Sequence, residues 1–129
     1  MTARNRLPPW HEHFTLRNGR EMLTRPIRPE DAAPLQGAFP LLGPDEIRQR
    51  FLHATAELSP EMGYRLTHPN PKSEIVLVAA EPMPPGEALI GGVARASIVA
   101  GTRDAEFAIL ISRFVAGQGL GRHLMRKLV

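Results

Sequence analysis

Residues 106–129 have the sequence EFAILISRFVAGQGLGRHLMRKLV, in which an apolar segment is followed by alternate glycines and then by an amphipathic segment. The apolar segment predicts a β-strand, and the four-residue spacing of Leu120, Leu124 and Leu128 predicts a helix that begins near Gly119. Glycines between a strand and a helix leave backbone N–H groups uncovered, and the helix N-terminus adds unpaired amides and a positive dipole end. The stretch therefore predicts an anion site, for which a pyrophosphate is the natural ligand.

The glycines of this turn are Gly117, Gly119 and Gly121, and their spacing excludes two common nucleotide-binding turns. A P-loop needs four residues between its glycines and then Lys-Ser/Thr, whereas Arg122 and His123 follow Gly121 here. A dinucleotide-binding fingerprint needs its third glycine where Arg122 stands. A tight turn without a ligand remains as an alternative, but three alternate glycines exceed what a turn requires.

The composition predicts a single soluble domain. The chain has 129 residues, of which 43% are hydrophobic and 22% charged. The absence of cysteine excludes disulfides, thiolate metal sites and cysteine nucleophiles. No apolar segment approaches the roughly 18 residues that span a bilayer, and the N-terminal residues lack the apolar core of a secretion signal. We therefore expect a cytoplasmic protein that does not contact a membrane.

The charge is basic, with a net charge of +3 and a pI of about 10.2. Arginine supplies most of the positive charge, because Lys72 and Lys127 are the only lysines. The arginines are scattered among acidic residues, and no run of five basic residues occurs. An arginine-rich solvated surface explains this pattern better than a nucleic-acid partner does.

The first part of the chain predicts a tail, a hairpin and helices. Residues 1–13 predict a tail, and Asn18-Gly19 lies between two alternating segments, which is typical of a hairpin. The helices predicted next are a short one that ends at Pro40, an amphipathic one within residues 44–58, and one capped by Ser59.

The second part predicts three strands joined by short turns, with the sequences EIVLVAAEP, EALIGGVARASIVAG and AEFAILIS. Gly91 and Gly92 interrupt the second of these and indicate a bulge or a close backbone approach. The resulting order is β-α-α-β-β-β-α, an α/β arrangement whose central strands are antiparallel.

Residues 116–121 resemble motif A of the GNAT acyltransferases, Gln/Arg-x-x-Gly-x-Gly/Ala at the start of a helix. The resemblance covers nearly the whole chain. The segments TLRNGREMLTRPIRPEDA, RFLHATAELSPEMGYRLT and AEFAILIS…GQGLGRHLMRKL are similar to the GNAT domain of bacterial protein lysine acetyltransferases. In many of those proteins the domain follows an acyl-CoA-synthetase-like module. The resemblance implies the GNAT (acyl-CoA N-acyltransferase) fold and acetyl transfer from acetyl-CoA to a lysine of a protein, often an acyl-CoA synthetase.

The resemblance also implies roles for particular residues. Glu106 matches the family's catalytic glutamate, a general base that partial burial would favour; from the residues alone, a solvated charge at a strand end is the alternative. The backbone of Leu110 and Ile111 would hold the pantetheine arm and polarise the thioester carbonyl. The pyrophosphate turn would comprise Gly117, Gln118, Gly119, Leu120, Gly121 and Arg122. Direct transfer without an acyl-enzyme and without a metal is the mechanism to expect.

Two departures from the family pattern accompany these matches. Ala116 replaces the Gln/Arg that opens motif A, and Gln118 and Arg122 are the residues able to compensate. The family fold continues with a strand, a helix and two strands, so residues 14–129 are expected to form a partial domain that lacks this C-terminal β-α-β-β. The open edge of the fourth strand would then favour self-association or completion by another chain. A non-catalytic remnant that binds acyl-CoA or another protein is the alternative function.

The remaining histidines and Ser112 give only weak indications of a metal site, a phosphate contact or a nucleophile. His11 and His13 flank Glu12, but the sequence indicates no third metal ligand beside them. His123 lies close to the predicted phosphate turn, although a surface histidine is the simpler interpretation. Ser112 has no evident histidine partner, which argues against a serine hydrolase.

Overall fold

The computed structural model describes residues 11–43, 58–98, 101–113 and 115–128. Within them, five antiparallel strands form one sheet, and each strand pairs with its neighbours in the chain. The strands are β1 (Glu12–Thr15), β2 (Glu21–Pro26), β3 (Glu74–Ala80), β4 (Ile90–Ile98) and β5 (Ala105–Ile111). The helices are α1 (Ala32–Ala38), α2 (Pro60–Thr67) and α3 (Leu120–Leu128), with short 3-10 turns at Pro29–Asp31 and Phe39–Leu41. The predicted α/β class and the antiparallel central strands are confirmed, and the hairpin supplies two strands before the helices where the predicted order counts one.

The predicted hairpin around Asn18-Gly19 is formed by β1 and β2. Residues 16–20 join the strands in a loop closed by hydrogen bonds from Leu16 N–H to the Arg20 carbonyl (2.8 Å) and from Gly19 N–H to the Leu16 carbonyl (2.9 Å). Gly19 has a φ of 90°, which explains the glycine at this position. The strand begins at Glu12, so two residues of the predicted tail belong to the sheet, while residues 1–10 lie outside the described part.

The sheet is covered on both faces. Val76, Val78 and Ala80 of β3 pack into one core with residues of α1 and α2, whereas Leu77 and Ala79 pack into a second core with α3. Side chains of a strand alternate between faces, so a strand buried on both sides needs a continuous apolar run. This is the reason why β3 lacks the polar alternation of the hairpin strands.

Gly91 and Gly92 lie where the sequence predicts a bulge or a close backbone approach. The register shifts where Ala79 pairs with Gly92 and Ala80 with Ile90, which leaves Gly91 as the extra residue of a bulge. A Cβ atom on Gly91 would lie 2.9 Å from Met22 Cε. The bulge is confirmed at Gly91, and the close backbone approach at Gly92, whose Cβ position lies 3.3 Å from the Leu110 carbonyl oxygen.

The helices begin and end largely as predicted. The Ser59 hydroxyl accepts a hydrogen bond from Met62 N–H (3.2 Å) as the cap of α2. Helix α1 ends at Ala38, and the following 3-10 turn contains Pro40. The amphipathic helix predicted within residues 44–58 lies outside the described residues except for its last position. No helix of the described segments is long and apolar enough to cross a membrane.

A buried ion pair fastens the start of α1 to the sheet. Arg25 of β2 donates to both carboxylate oxygens of Asp31, at 2.7 and 2.8 Å, and the two side chains are 2% and 0% exposed. Asp31 also accepts the Arg28 N–H at 2.7 Å. The pair sets the position of α1 on the sheet, and the hydrophobic pattern of β2 does not predict it.

Candidate functional site

The glycine turn links β5 to α3 in a backbone form that requires glycine. Gly117 and Gly119 have φ values of 77° and 88°, in the left-handed region, whereas Gly121 is already inside α3. The first helical hydrogen bond runs from His123 N–H to the Gly119 carbonyl (3.1 Å). The N–H groups of Leu120, Gly121 and Arg122 therefore precede the helical ladder and can donate to a ligand.

The charges of α3 leave its N-terminus electropositive. Its first turn contains no acidic residue and includes the exposed Arg122, while Arg126 and Lys127 occupy its last turn. A carboxylate near the N-terminus usually balances the positive dipole end. Because α3 has none in its first turn, a bound anion would meet the helix dipole and the Arg122 guanidinium together.

The predicted turn residues differ in what they can offer. Leu120 buries its side chain in the core beside α3, so only its backbone can contact a ligand. Gln118 accepts the Asn18 N–H at its side-chain oxygen (3.0 Å), so this oxygen is engaged by the hairpin loop. Ala116 is exposed and has no polar side-chain atom to offer.

The hairpin loop contacts the glycine turn although a hundred residues separate the two in the chain. Arg17 Nη1 donates to the Gly117 carbonyl over 3.5 Å, and the Gln118 bond to Asn18 lies next to it. The Phe14 ring lies 3.7 Å from the position that a Cβ atom on Gly119 would take. Sequence reasoning missed these contacts, since no local signal links the two loops.

The backbone N–H and C=O groups of successive β5 residues point to opposite sides of the strand. Leu110 and Ile111, the two residues expected to hold a pantetheine arm, therefore direct these groups to different sides. Ser112 N–H bonds the Gly91 carbonyl (2.8 Å), and alternation then directs the backbone of Leu110 toward β4 as well. The Leu110 carbonyl indeed lies 3.3 Å from the Cβ position of Gly92. The backbone of Ile111 points away from β4, so the expected backbone contact depends on Ile111 rather than on Leu110.

The side of β5 that faces away from β4, its outer side, is covered at the C-terminal end of the strand by residues 41 and 42. Arg113 N–H donates to the Leu41 carbonyl (3.2 Å), and Leu42 forms an isolated antiparallel bridge with Ser112. The residues that follow α1 therefore cover the end of β5 next to the glycine turn. Alternation adds Ile109 to the residues whose backbone points to the outer side, which the sequence analysis did not name.

Glu106 lies toward the opposite end of β5 and is exposed, so the partial burial expected of it is not found. It pairs with Ser97 of β4 and shares a face with Leu110, which is the face that α1 and α2 cover farther along the sheet. From Glu106 to Ile111 the strand extends about 17 Å. Glu106 and the glycine turn therefore lie at opposite ends of one strand.

An ion pair lies next to Glu106 on this face. Arg95 pairs across the sheet with Ala108 and is therefore a diagonal neighbour of Glu106, and its Nε donates to Glu74 Oε2 at 3.2 Å. Burial raises the pKa of Glu74, but the hydrogen bonds from Arg95 and from Asn70 N–H outweigh this effect, so the pKa lies below its ordinary value.

His123 joins α3 to the hairpin. Its ring stacks on Phe14 with centroids 4.3 Å apart, and its Nε2 lies 3.3 Å from Thr24 Oγ1. Burial lowers the pKa of His123 more than the nearby Glu12 raises it, so the pKa lies below its ordinary value. Glu12 is 3.1 Å from Lys127 Nζ and 3.8 Å from His123 Nε2.

Residues 11–13, the His-Glu-His segment, thus contact the elements next to β1. His13 Nδ1 lies 3.2 Å from Glu21 Oε1 of β2. Among the described residues, no group of three or more metal-ligating side chains could hold a metal ion.

The architecture defines the class of fold to which this chain belongs. No family model matches the chain. Among solved structures it is similar to the GNAT domain of S. lividans PAT, with 23% identity, a TM-score of 0.73, and coverage of 95% of this chain and 72% of that one. At this identity the likeness establishes the fold alone: the chain has the GNAT fold, as predicted.

Two mutant forms of a cAMP-binding acyltransferase from Mycobacterium smegmatis share the fold. They have 16% and 19% identity and a TM-score of 0.53, and the match covers 89% of this chain. The chain spans 32% and 33% of the length of those two proteins.

Proposed function

We propose that this chain binds acetyl-CoA and transfers its acetyl group to an amine, namely the side-chain amine of a protein lysine. One observation carries the proposal: in a chain with the GNAT fold, the strand that bears Glu106 ends at a glycine turn whose helix amides precede the helical ladder. The Mycobacterium smegmatis protein of similar fold is an acyltransferase, which supports the reaction class.

The cofactor would lie along β5. Its pyrophosphate would accept hydrogen bonds from the backbone of the glycine turn, from Gly117 to Arg122, and the Arg122 guanidinium would add charge. The pantetheine arm would run toward Glu106, with Ile111 as the nearer backbone contact. The acetyl group would then lie near Glu106, about one strand length from the phosphates.

The reaction needs a neutral amine. Glu106 would take a proton from the lysine ammonium, directly or through a water molecule. The amine nitrogen then attacks the thioester carbonyl, so that a C–N bond forms and the C–S bond breaks. The CoA sulfur leaves with the electron pair and takes up a proton, and the products are an amide and free CoA.

The exposure of Glu106 supports a macromolecular acceptor. Ala105, Glu106 and Phe107 are all exposed, and so is the turn at residues 101–104 that precedes them. A lysine on the surface of another protein can reach such a position, whereas a small acceptor is usually enclosed in a pocket. An acyl-CoA synthetase is the acceptor class that the sequence resemblance favours, and the cytoplasm is the compartment in which we expect the reaction.

Ala116 and Glu106 favour a second candidate function, that of a non-catalytic binding module. Ala116 offers no side-chain donor at the turn, and the exposed Glu106 does not have the buried surroundings that aid a base. A chain with these features would serve as an acyl-CoA-binding or protein-interaction module, with the outer edge of β5 as the surface for a second copy or another chain.

Calorimetric titration with acetyl-CoA, combined with a transfer assay on lysine peptides, tests both functions. We expect the wild type to bind acetyl-CoA and to acetylate the peptide. Glu106→Gln should bind acetyl-CoA with a Kd within about twofold of the wild type, but its transfer rate should fall by roughly 10²-fold or more. Glu87→Gln, an exposed glutamate with the same charge change, is the control. Binding without transfer by the wild type would support the module, and a folded chain that binds nothing would contradict the proposed cofactor.

A further inference from the structure

The peptide group between Gly117 and Gln118 is held from outside the glycine turn. Arg17 reaches from the hairpin loop and donates to the Gly117 carbonyl over 3.5 Å. A trans peptide is planar, and its C=O and N–H point in opposite directions. No cis peptide bond occurs among the described residues. A carbonyl directed at Arg17 therefore turns the N–H of Gln118 away from the hairpin.

The hairpin loop is itself a firm support. Gly19 N–H bonds the Leu16 carbonyl and Arg20 N–H bonds the Asn18 side-chain oxygen, both at 2.9 Å. The Asn18 N–H holds the side chain of Gln118 from the same side. Both the side chain of Gln118 and the peptide that precedes it are thus contacted by the loop of residues 16–20, which its internal hydrogen bonds stabilise.

The glycine turn needs such a support. Gly117 has a φ of 77° and open space around its Cβ position, so no packed side chain of its own limits its backbone. A flexible donor loses entropy when it binds, and fixing it beforehand favours binding. Arg17 is the charged side chain that contacts the carbonyl at this position.

We infer that Arg17 is a positioning residue for the pyrophosphate of acyl-CoA. By holding the Gly117 carbonyl it presents the Gln118 N–H as a further donor beside the amides of α3. The inference rests on the proposed function and deepens it, because it makes the hairpin loop part of the cofactor site. It requires that Arg17 strengthen binding of the pyrophosphate and leave binding of the 3′-phosphate and of the pantetheine arm unchanged.

Ligand truncation separates these possibilities. The full chain is titrated with CoA, with 3′-dephospho-CoA and with pantetheine, which lacks both phosphate groups. We expect Arg17→Ala to weaken CoA and 3′-dephospho-CoA by the same factor, about fivefold, as for one lost hydrogen bond. Pantetheine binding, followed by NMR, stays unchanged.

Arg20→Ala is the matched control, because Arg20 follows the same loop and pairs with Glu81 at 3.5 Å instead of the turn. It makes the same charge change, and we expect no change in CoA binding. Thermal unfolding of each variant confirms that it is folded.

Four results would overturn the inference. Equal losses in Arg17→Ala and Arg20→Ala would show a general charge effect, and a loss for CoA but not for 3′-dephospho-CoA would place Arg17 on the 3′-phosphate. Unchanged CoA binding by Arg17→Ala would contradict the inference and leave the proposed function intact. A folded wild type that binds none of the ligands would contradict the proposed function, and the inference with it.

Discussion

Arg25 and Asp31 form a bidentate ion pair in the interior, with nitrogen–oxygen distances of 2.7 and 2.8 Å. The Nε of Arg25 has no hydrogen-bond partner among the described residues, so the carboxylate of Asp31 provides most of the compensation for this buried charge. Removing one member of a buried pair leaves the other charge unpaired, which costs far more than the net contribution of the pair.

We therefore expect Asp31→Asn to lower the free energy of unfolding by about 3–5 kcal/mol, measured by urea denaturation. The adjacent Glu30→Gln is the control, because Glu30 is half exposed and lies 3.8 Å from an exposed arginine. Its effect should stay within about 0.5 kcal/mol. Equal effects of the two variants would contradict the structural role assigned to Asp31.

The glycine turn can be tested with two glycines of the same backbone form. Gly117 and Gly101 both have a φ of 77°, and both have open space at the Cβ position. Gly117→Asp and Gly101→Asp thus introduce the same strain and the same charge, but only the first places a carboxylate in the proposed phosphate site. We expect Gly117→Asp to weaken acetyl-CoA binding about tenfold or more, and Gly101→Asp to leave it nearly unchanged. Equal losses in the titration would argue against a phosphate at this turn.

The pKa of His123 predicts how stability depends on pH. Since burial lowers the folded-state pKa below 6.5, the unfolded chain binds more protons in the interval between the two pKa values. The contribution of His123 to stability is thus fully present above pH 6.5 and is lost as the pH falls through the folded-state pKa. Replacement by glutamine, His123→Gln, should flatten the stability curve just below pH 6.5. Urea midpoints measured from pH 5 to 8 provide the check, and an unchanged slope would contradict the prediction.

Two glycines should respond in opposite ways to replacement by alanine. A Cβ on Gly92 would lie 3.1 Å from Ile111 Cδ1 and 3.3 Å from the Leu110 carbonyl, and the backbone of a central strand cannot move away easily. We expect Gly92→Ala to cost about 1–3 kcal/mol. Gly37 lies within α1 with nothing near its Cβ position, so Gly37→Ala should stabilise the protein by about 0.5–1 kcal/mol. Thermal unfolding of both variants tests the contrast.

Local sequence patterns predicted the elements of this fold well where a short segment determines its own structure. Asn18-Gly19 specifies a hairpin by its tolerance of positive φ, and Ser59 specifies a helix start by its side-chain oxygen. The glycine turn between β5 and α3 follows from spacing alone. In each case the deciding interaction lies within a few residues of the chain.

The contacts that sequence reasoning missed join segments that are distant in the chain or depend on a tertiary environment. Arg17 and Gly117 are a hundred residues apart, and neither residue type signals the other. The residues alone left a solvated Glu106 open as the alternative, and the partial burial expected from the family role is not found. The alternation of a strand places a residue on a face but does not say what covers that face. The direction of the Leu110 backbone likewise depends on its partner strand.

The contact between the hairpin loop and the glycine turn also bears on the order of folding. The strands pair with their neighbours in the chain, so the sheet can grow by successive local steps, which favours rapid assembly. The glycine turn is different, since its support closes a loop of a hundred residues. During synthesis the hairpin emerges from the ribosome long before the turn that it supports. A nascent chain can therefore form most of its sheet before the proposed cofactor site exists. If the proposed ligand binds there, it can protect only a chain in which the hairpin and the glycine turn are already in contact.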